Sequence, residues 1–152
     1  MIALRCATTS NRLRKGYREI FAGYHICIYA MNRSSRNVMR KMLDVGPDSI
    51  CISALVAAEL AYGVARSDAA YREKNELHLQ RFIHNITVVP WTHEAMWHYG
   101  EQRQRLKLSR LPISEIDLLI GAQALATDLV VVTNNVREFQ RIEGLTLENW
   151  VG

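Results

Sequence analysis

No apolar run in this chain approaches the length of a bilayer span, so no segment is expected to cross a membrane. Cysteine is scarce: Cys6, Cys27 and Cys51 are an odd number without metal-type spacing. That excludes a thiolate metal site and a disulfide framework, and it fits a reducing, cytoplasmic setting. Cys27 and Cys51 lie among Ile and Ser, as small buried residues do. Internal repeats, low-complexity tracts and linkers are absent too, which leaves one domain of 152 residues with 49% hydrophobic and 22% charged content. Nor does most of the chain carry net charge. Residues 1–22 hold five basic side chains (Arg5, Arg12, Arg14, Lys15, Arg18) against Glu19, and from residue 23 onward fourteen basic residues balance fourteen acidic ones. The basic balance therefore belongs to the first segment, and total charge alone does not argue for a nucleic-acid partner.

Charge is also missing from two long apolar stretches, and there the exceptions are informative. Glu59 is the only charged residue in Ile50–Ala65, and Asp117 heads IDLLIGAQALAT with no further charge until Asp128. Helices this apolar pack into a core, and a carboxylate carried inward costs several kcal/mol unless something positive meets it. Two such acids point to a shared cation site. The bland alternative is that each lies on the wet edge of its helix.

The order of elements suggests α/β. Short strands are expected at Ile50–Ser53, Ile86–Pro90 and Leu129–Thr133, with a last edge strand in Leu145–Trp150. Helices are expected over Ser34–Leu43, over Ala54–Ala65 with an end near Gly63, and over Asp68–His84 with Tyr71, Leu77 and Phe82 on its inner side. Another runs from a Thr92 cap to about Leu108, and a further one starts after Ser114. Asn134–Arg141 reads as a short helix or turn. Alternating strands and helices imply a mostly parallel sheet covered on both faces, whose sites form at the carboxyl ends of the strands. The strand at Leu129–Thr133 delivers Thr133, Asn134 and Asn135 to that edge, beside Asp117. Each has a plain structural reading as well: Ser114 with Asp117 three residues on resembles a capping box, and Thr133–Asn135 resembles a turn.

Five segments in order carry a family resemblance: ICIYAMN at 26–32, CIS-x-L-x-x-AEL-x-YGV at 51–64, PIS-x-x-DLLIGAQA at 112–124, VVTNN-x-REF at 131–139 and LENW at 147–150. Over about residues 24–151 the chain resembles the PIN-domain ribonucleases, most closely the VapC-type toxins of bacterial toxin–antitoxin pairs. The resemblance implies an α/β/α sandwich with a mostly parallel central sheet and an acidic pocket holding Mg²⁺ or Mn²⁺. It implies a metal-dependent endoribonuclease that hydrolyses RNA, a cognate small antitoxin protein and a homodimer. Glu59 and Asp117 match two of the family's acids and are the expected metal ligands. Asn135 falls where many members carry a further Asp, and Thr133 matches a hydroxyl residue that orients the site. Glu138 is a possible additional carboxylate, with a surface pair to Arg137 or Arg141 slightly favoured over that role. Arg33, Arg36, Arg103, Arg105 or Lys107 could meet RNA phosphates, although a solvated helix face suits most of them.

One departure stands out. The family opens with a strand ending in Asp, in a pattern such as Leu-Leu-Asp-Thr, and here Gly23 holds the position of that acid. The first strand is thus degenerate, with Ile20–Ala22 expected to form a short or irregular strand. A lone His25 is no default substitute, because hard Mg²⁺ prefers oxygen. A catalytically impaired homologue that keeps antitoxin binding or dimerisation is therefore the alternative to an active toxin. Residues 1–18 read as a poorly ordered segment foreign to the family, followed by a single PIN domain over 19–152. A one-base frameshift would account for this: Glu19–His25 can be encoded as GAA ATA TTT GCT GGA TAC CAC, which one nucleotide later reads Lys-Tyr-Leu-Leu-Asp-Thr. Gene codons incompatible with that second frame would sink the idea.

Overall fold

The computed structural model describes residues 20–152. Expectations for residues 1–18 and Glu19 lie outside them. Five strands form one parallel sheet in the order β3-β2-β1-β4-β5. They are β1 (Ile20–Ala22), β2 (Ile50–Ser53), β3 (Thr87–Val89), β4 (Val130–Val132) and β5 (Leu147–Glu148). Around them run α1 (Tyr24–Asn32), α2 (Arg36–Val45), α3 (Ala54–Ala65), α4 (Ala69–His84), α5 (His93–Leu108), α6 (Glu115–Thr127) and the short α7 (Val136–Phe139). The sheet is parallel because each strand is joined to the next through helices, and its central strands read as largely apolar runs because both faces are covered.

The degenerate first strand forms, and it is the middle of the sheet. It is only three residues long, all buried. Ile20 and Phe21 pair with Ile50 and Cys51 on one side, and Ile20, Phe21 and Ala22 pair with Val130, Val131 and Val132 on the other. Backbone pairing does not depend on side-chain identity, so three apolar residues suffice. Gly23 N–H continues the ladder one step further, donating to the Val132 carbonyl at 2.9 Å.

Two details differ from the sequence reading. Helix α3 runs through Gly63 to Ala65 rather than stopping near the glycine. On α4 the inner side is only partly the expected one: Phe82 packs on the core as expected, together with Ile83 and with Leu79 at 9% exposure, whereas Tyr71 is 60% exposed and Leu77 48%. At about 100° per residue, Leu79, Phe82 and Ile83 share one arc and Leu77 lies on the opposite side of the helix, while Tyr71 keeps nearly the direction of Phe82 but three turns earlier, in the first turn. Leu79→Ala should cost about 2–3 kcal/mol in denaturant unfolding, and Leu77→Ala should stay within about 0.5 kcal/mol. Cys27 is a core residue whose burial pushes its thiol up to about 12, the behaviour of an inert cysteine.

Candidate functional site

In the strand order, the chain moves from β1 out to β2 and β3, then returns to place β4 on the other side of β1. The crevice at the carboxyl ends of β1 and β4 is therefore the topological switch point, where open α/β sheets bind ligands. Gly23 follows β1 there, and Thr133 follows β4. Gly23, Glu59, Asp117, Thr133 and Asn135 line one cavity of about 220 Å³, with Tyr24, His25, Ser114, Ile116, Ile120 and Phe139 completing its wall. The four site residues read from the sequence thus meet in one place.

Helix starts position the two acids. Ser53 ends β2 and caps α3, its Oγ accepting from Leu55 N–H at 3.0 Å. Glu59 follows in the second turn, half-buried, and among the described residues its carboxylate has no hydrogen-bond or ion-pair partner. Ser114 caps α6 by accepting from Asp117 N–H at 3.1 Å. The reciprocal half of that capping box is filled from elsewhere: Ser114 N–H donates to Glu138 Oε2 at 3.1 Å. Asp117 is therefore spared the capping task, and its Oδ2 accepts from Asn135 Nδ2 at 3.0 Å. Thr133 is buried at 5% exposure, and its Oγ1 accepts from Asn135 N–H at 3.0 Å, fixing the turn that presents the amide.

The expected surface pair of Glu138 with Arg137 or Arg141 is not what forms. Arg141 donates to the Pro112 carbonyl, and Glu138 turns to the start of α6 beside Asp117. Burial, first, and the Glu138 carboxylate push Asp117 above the ordinary carboxylate range, against hydrogen bonds from Ser114 and Asn135. Thr92 sits at the α5 N-cap without capping a backbone N–H there; its hydroxyl bonds the Glu94 carboxylate instead.

The donors fit a hard cation held loosely. Among the described residues no group of three or more His, Cys, Asp or Glu side chains forms a ready metal cage. What is present is oxygen chemistry: an unpaired Glu59, an Asp117 crowded by a like charge, and neighbouring amide and hydroxyl groups. Ions such as Mg²⁺ keep several waters and bind through one or two carboxylates plus substrate phosphate, which matches this set. Gly23 contributes no donor. Its φ of −72° is open to any residue, and a Cβ there would lie 3.1 Å from the Val132 carbonyl oxygen and 3.6 Å from Thr133 Cβ.

Of the basic candidates, Arg103 pairs with Glu115 at 3.1 Å and stacks on Tyr99. Arg105 bonds Gln102 and the Arg141 carbonyl and lies 3.5 Å from Glu143. Both serve the fold, and Arg33, Arg36 and Lys107 stay exposed. The sequence reading passed over Gln123, which is wholly buried behind the site. The signal was there: it is the one uncharged polar residue within IDLLIGAQALA, out of place for the same reason as a lone acid.

A parallel sheet with an oxygen-rich crevice at its switch point defines an α/β domain whose candidate site lies at the carboxyl ends of β1 and β4. The PIN domain model matches residues 25–145, and the chain belongs to that family. Its relatives place it among the VapC-type members. It is 37% identical over 127 residues to ribonuclease VapC2 of Rickettsia felis, covering 83% of this chain and 93% of the relative. It is 33% identical over 124 residues to a tRNA(fMet)-specific endonuclease VapC of Salmonella typhimurium, covering 82% and 92%. Among solved structures, VapBC2 of Rickettsia felis bound to a promoter DNA fragment matches with a TM-score of 0.78 at 36% identity, covering 86% of this chain and 98% of the other. DNA-bound VapBC of Salmonella typhimurium matches with a TM-score of 0.80 at 30% identity, covering 88% and 99%. No helix among the described residues is long and apolar enough to cross a membrane.

Proposed function

We propose that the chain is a metal-dependent endoribonuclease, the toxin half of a toxin–antitoxin pair, which hydrolyses RNA phosphodiesters. The observation that carries this reading is the meeting of Glu59, Asp117, Thr133 and Asn135 in one cavity at the switch point of the sheet. Glu59 and Asp117 are the residues that would hold Mg²⁺ or Mn²⁺. When bound, such an ion polarises a phosphodiester and offsets the charge developing on the leaving oxygen. The chain's own groups do the positioning. Asn135 holds the Asp117 carboxylate in orientation, and Thr133 fixes the turn from which Asn135 reaches it. Glu138 occupies Ser114 N–H and so leaves Asp117 turned toward the cavity. Exposed Arg33, Arg36 and Lys107 are available to RNA phosphates.

The partners this reading implies are RNA, a small cognate antitoxin and a second copy of the chain; the solved VapBC relatives support the antitoxin. A second reading is favoured by one observation, the missing side chain at Gly23: a homologue whose catalysis is weakened while partner binding persists. RNA cleavage by the full chain with Mg²⁺ or Mn²⁺ is the test. Cleavage should stop on adding EDTA and fall at least ~100-fold in Glu59→Gln. Cleavage by neither the chain nor Gly23→Asp would overturn the nuclease reading in favour of the second.

A further inference from the structure

Behind the cavity, a buried polar link fastens together the two helices that carry the acids. Gln123 of α6 and Ser53 at the end of β2 are both 0% exposed. Ser53 Oγ donates to Gln123 Oε1 at 2.5 Å while it accepts the Leu55 N–H that starts α3. The Gln123 amide nitrogen donates to the carbonyls of Val89 at 3.0 Å and Pro90 at 2.8 Å, at the carboxyl end of β3. One side chain therefore ties α6 to the start of α3 and to two strand ends. Gln123 does not line the cavity.

Packing alone does not call for this arrangement. Burying an amide and a hydroxyl is costly unless every group is paired, and a shape-matched apolar pair in the same place is often as stable. What the polar link adds is direction. Apolar side chains tolerate a helix sliding or turning by a fraction of an ångström, whereas four convergent hydrogen bonds do not. Glu59 lies six residues beyond Ser53, and Gln123 lies six residues beyond Asp117. Fixing Gln123 on Ser53 thus fixes one acid-bearing helix against the other. A metal site needs its donors held to within about 0.5 Å, and neither acid has a covalent or ionic tie to the other helix among the described residues.

We propose that Gln123 is a positioning residue for the Glu59–Asp117 pair, acting through Ser53 to set the register of α6 on α3. This rests on the reading of that pair as a metal site. The test is Mn²⁺ binding by the full chain, read by electron paramagnetic resonance alongside thermal unfolding. Gln123→Met should weaken Mn²⁺ binding about 10-fold. Val38→Ala, a change at a buried residue of α2 that does not line the cavity, should lower the melting temperature and leave Mn²⁺ binding unchanged. Adding Ser53→Ala to Gln123→Met should weaken binding little further, because the bond between the two side chains is already broken, and the loss of the Leu55 cap should show in the melting temperature instead. If Gln123→Met does not fold, Ser53→Ala alone carries the same expectation. A folded Gln123→Met, or Ser53→Ala in its place, that melts lower yet binds Mn²⁺ as the natural chain does would overturn the positioning role alone. Where the natural chain binds too weakly to measure, the series is run in Gly23→Asp. Absence of Mn²⁺ binding in both backgrounds would instead remove the metal-site reading, and the positioning role with it.

Discussion

Gly23→Asp should raise Mn²⁺ affinity and metal-dependent RNA cleavage by at least ~10-fold, because it adds a carboxylate to the wall of the cavity formed by Gly23. The backbone accepts the change. Gly23 has φ −72° and ψ 169°, an extended conformation that aspartate adopts without strain. The new Cβ would sit 3.1 Å from the Val132 carbonyl oxygen, so the end of β4 must give by a few tenths of an ångström. Its other near neighbours are Thr133 Cβ and Oγ1, at 3.6 and 3.7 Å, which directs the side chain to the face where Asp117 and Asn135 already meet. Gly23 is also the N-cap of α1 and offers no side-chain acceptor there. Aspartate would supply one, worth a few tenths of a kcal/mol over glycine, against repulsion from the existing acids. Those two effects oppose each other without metal, so the metal-free melting temperature should change little. With saturating Mn²⁺ the stabilisation should exceed that of the natural chain by about 3–6 °C, the equivalent of a tenfold tighter site. Equal Mn²⁺ affinity in the two proteins would show that position 23 is not part of the site.

How much of this was legible in sequence depended on whether the signal was local. The strands at Ile50–Ser53 and Val130–Val132 stand out because strands buried on both faces are short apolar runs, and the edge strand Thr87–Val89 stands out by its β-branched residues. Helix α3 starts and ends within its expected span of Ala54–Ala65, but it continues through Gly63, where the glycine does not act as a stop. On α4 the sequence points rightly to Phe82 but wrongly to Tyr71 and Leu77, because the apolar residues of that helix are few and lie on more than one arc. Site residues were found where a charge stood alone in apolar sequence, as Glu59 and Asp117 do. Glu138 was placed with its neighbours Arg137 and Arg141 because sequence offers only neighbours, and its real partner, Ser114 N–H, is 24 residues away. The Ser53–Gln123 bond spans 70 residues and involves no charge, so a search for lone charges passes over it.

Asp117→Asn should abolish metal-dependent cleavage, by at least ~100-fold, and yet leave the metal-free protein as stable as the natural chain at neutral pH or more so. Burial, chiefly, and the nearby Glu138 raise the Asp117 carboxyl above its ordinary range. A group whose folded-state value is raised holds its proton more tightly in the folded protein. The stability this contributes is complete below the unfolded value and is lost as pH rises through the folded value. Wherever Asp117 is ionised it is thus a source of destabilisation that a bound cation offsets. Asparagine removes the charge and keeps the geometry: the Ser114 cap is made to the backbone N–H of residue 117, and a side-chain oxygen remains to accept from Asn135. Thermal unfolding from about pH 4 to 8 should show the variant level with or above the natural chain at the upper end. The natural chain should gain on it as acid protonates Asp117. Added Mn²⁺ should raise the melting temperature of the natural chain and leave that of Asp117→Asn unmoved. A variant less stable than the natural chain at neutral pH, yet still stabilised by Mn²⁺, would mean that Asp117 serves the fold of α6 and that the cation is held elsewhere.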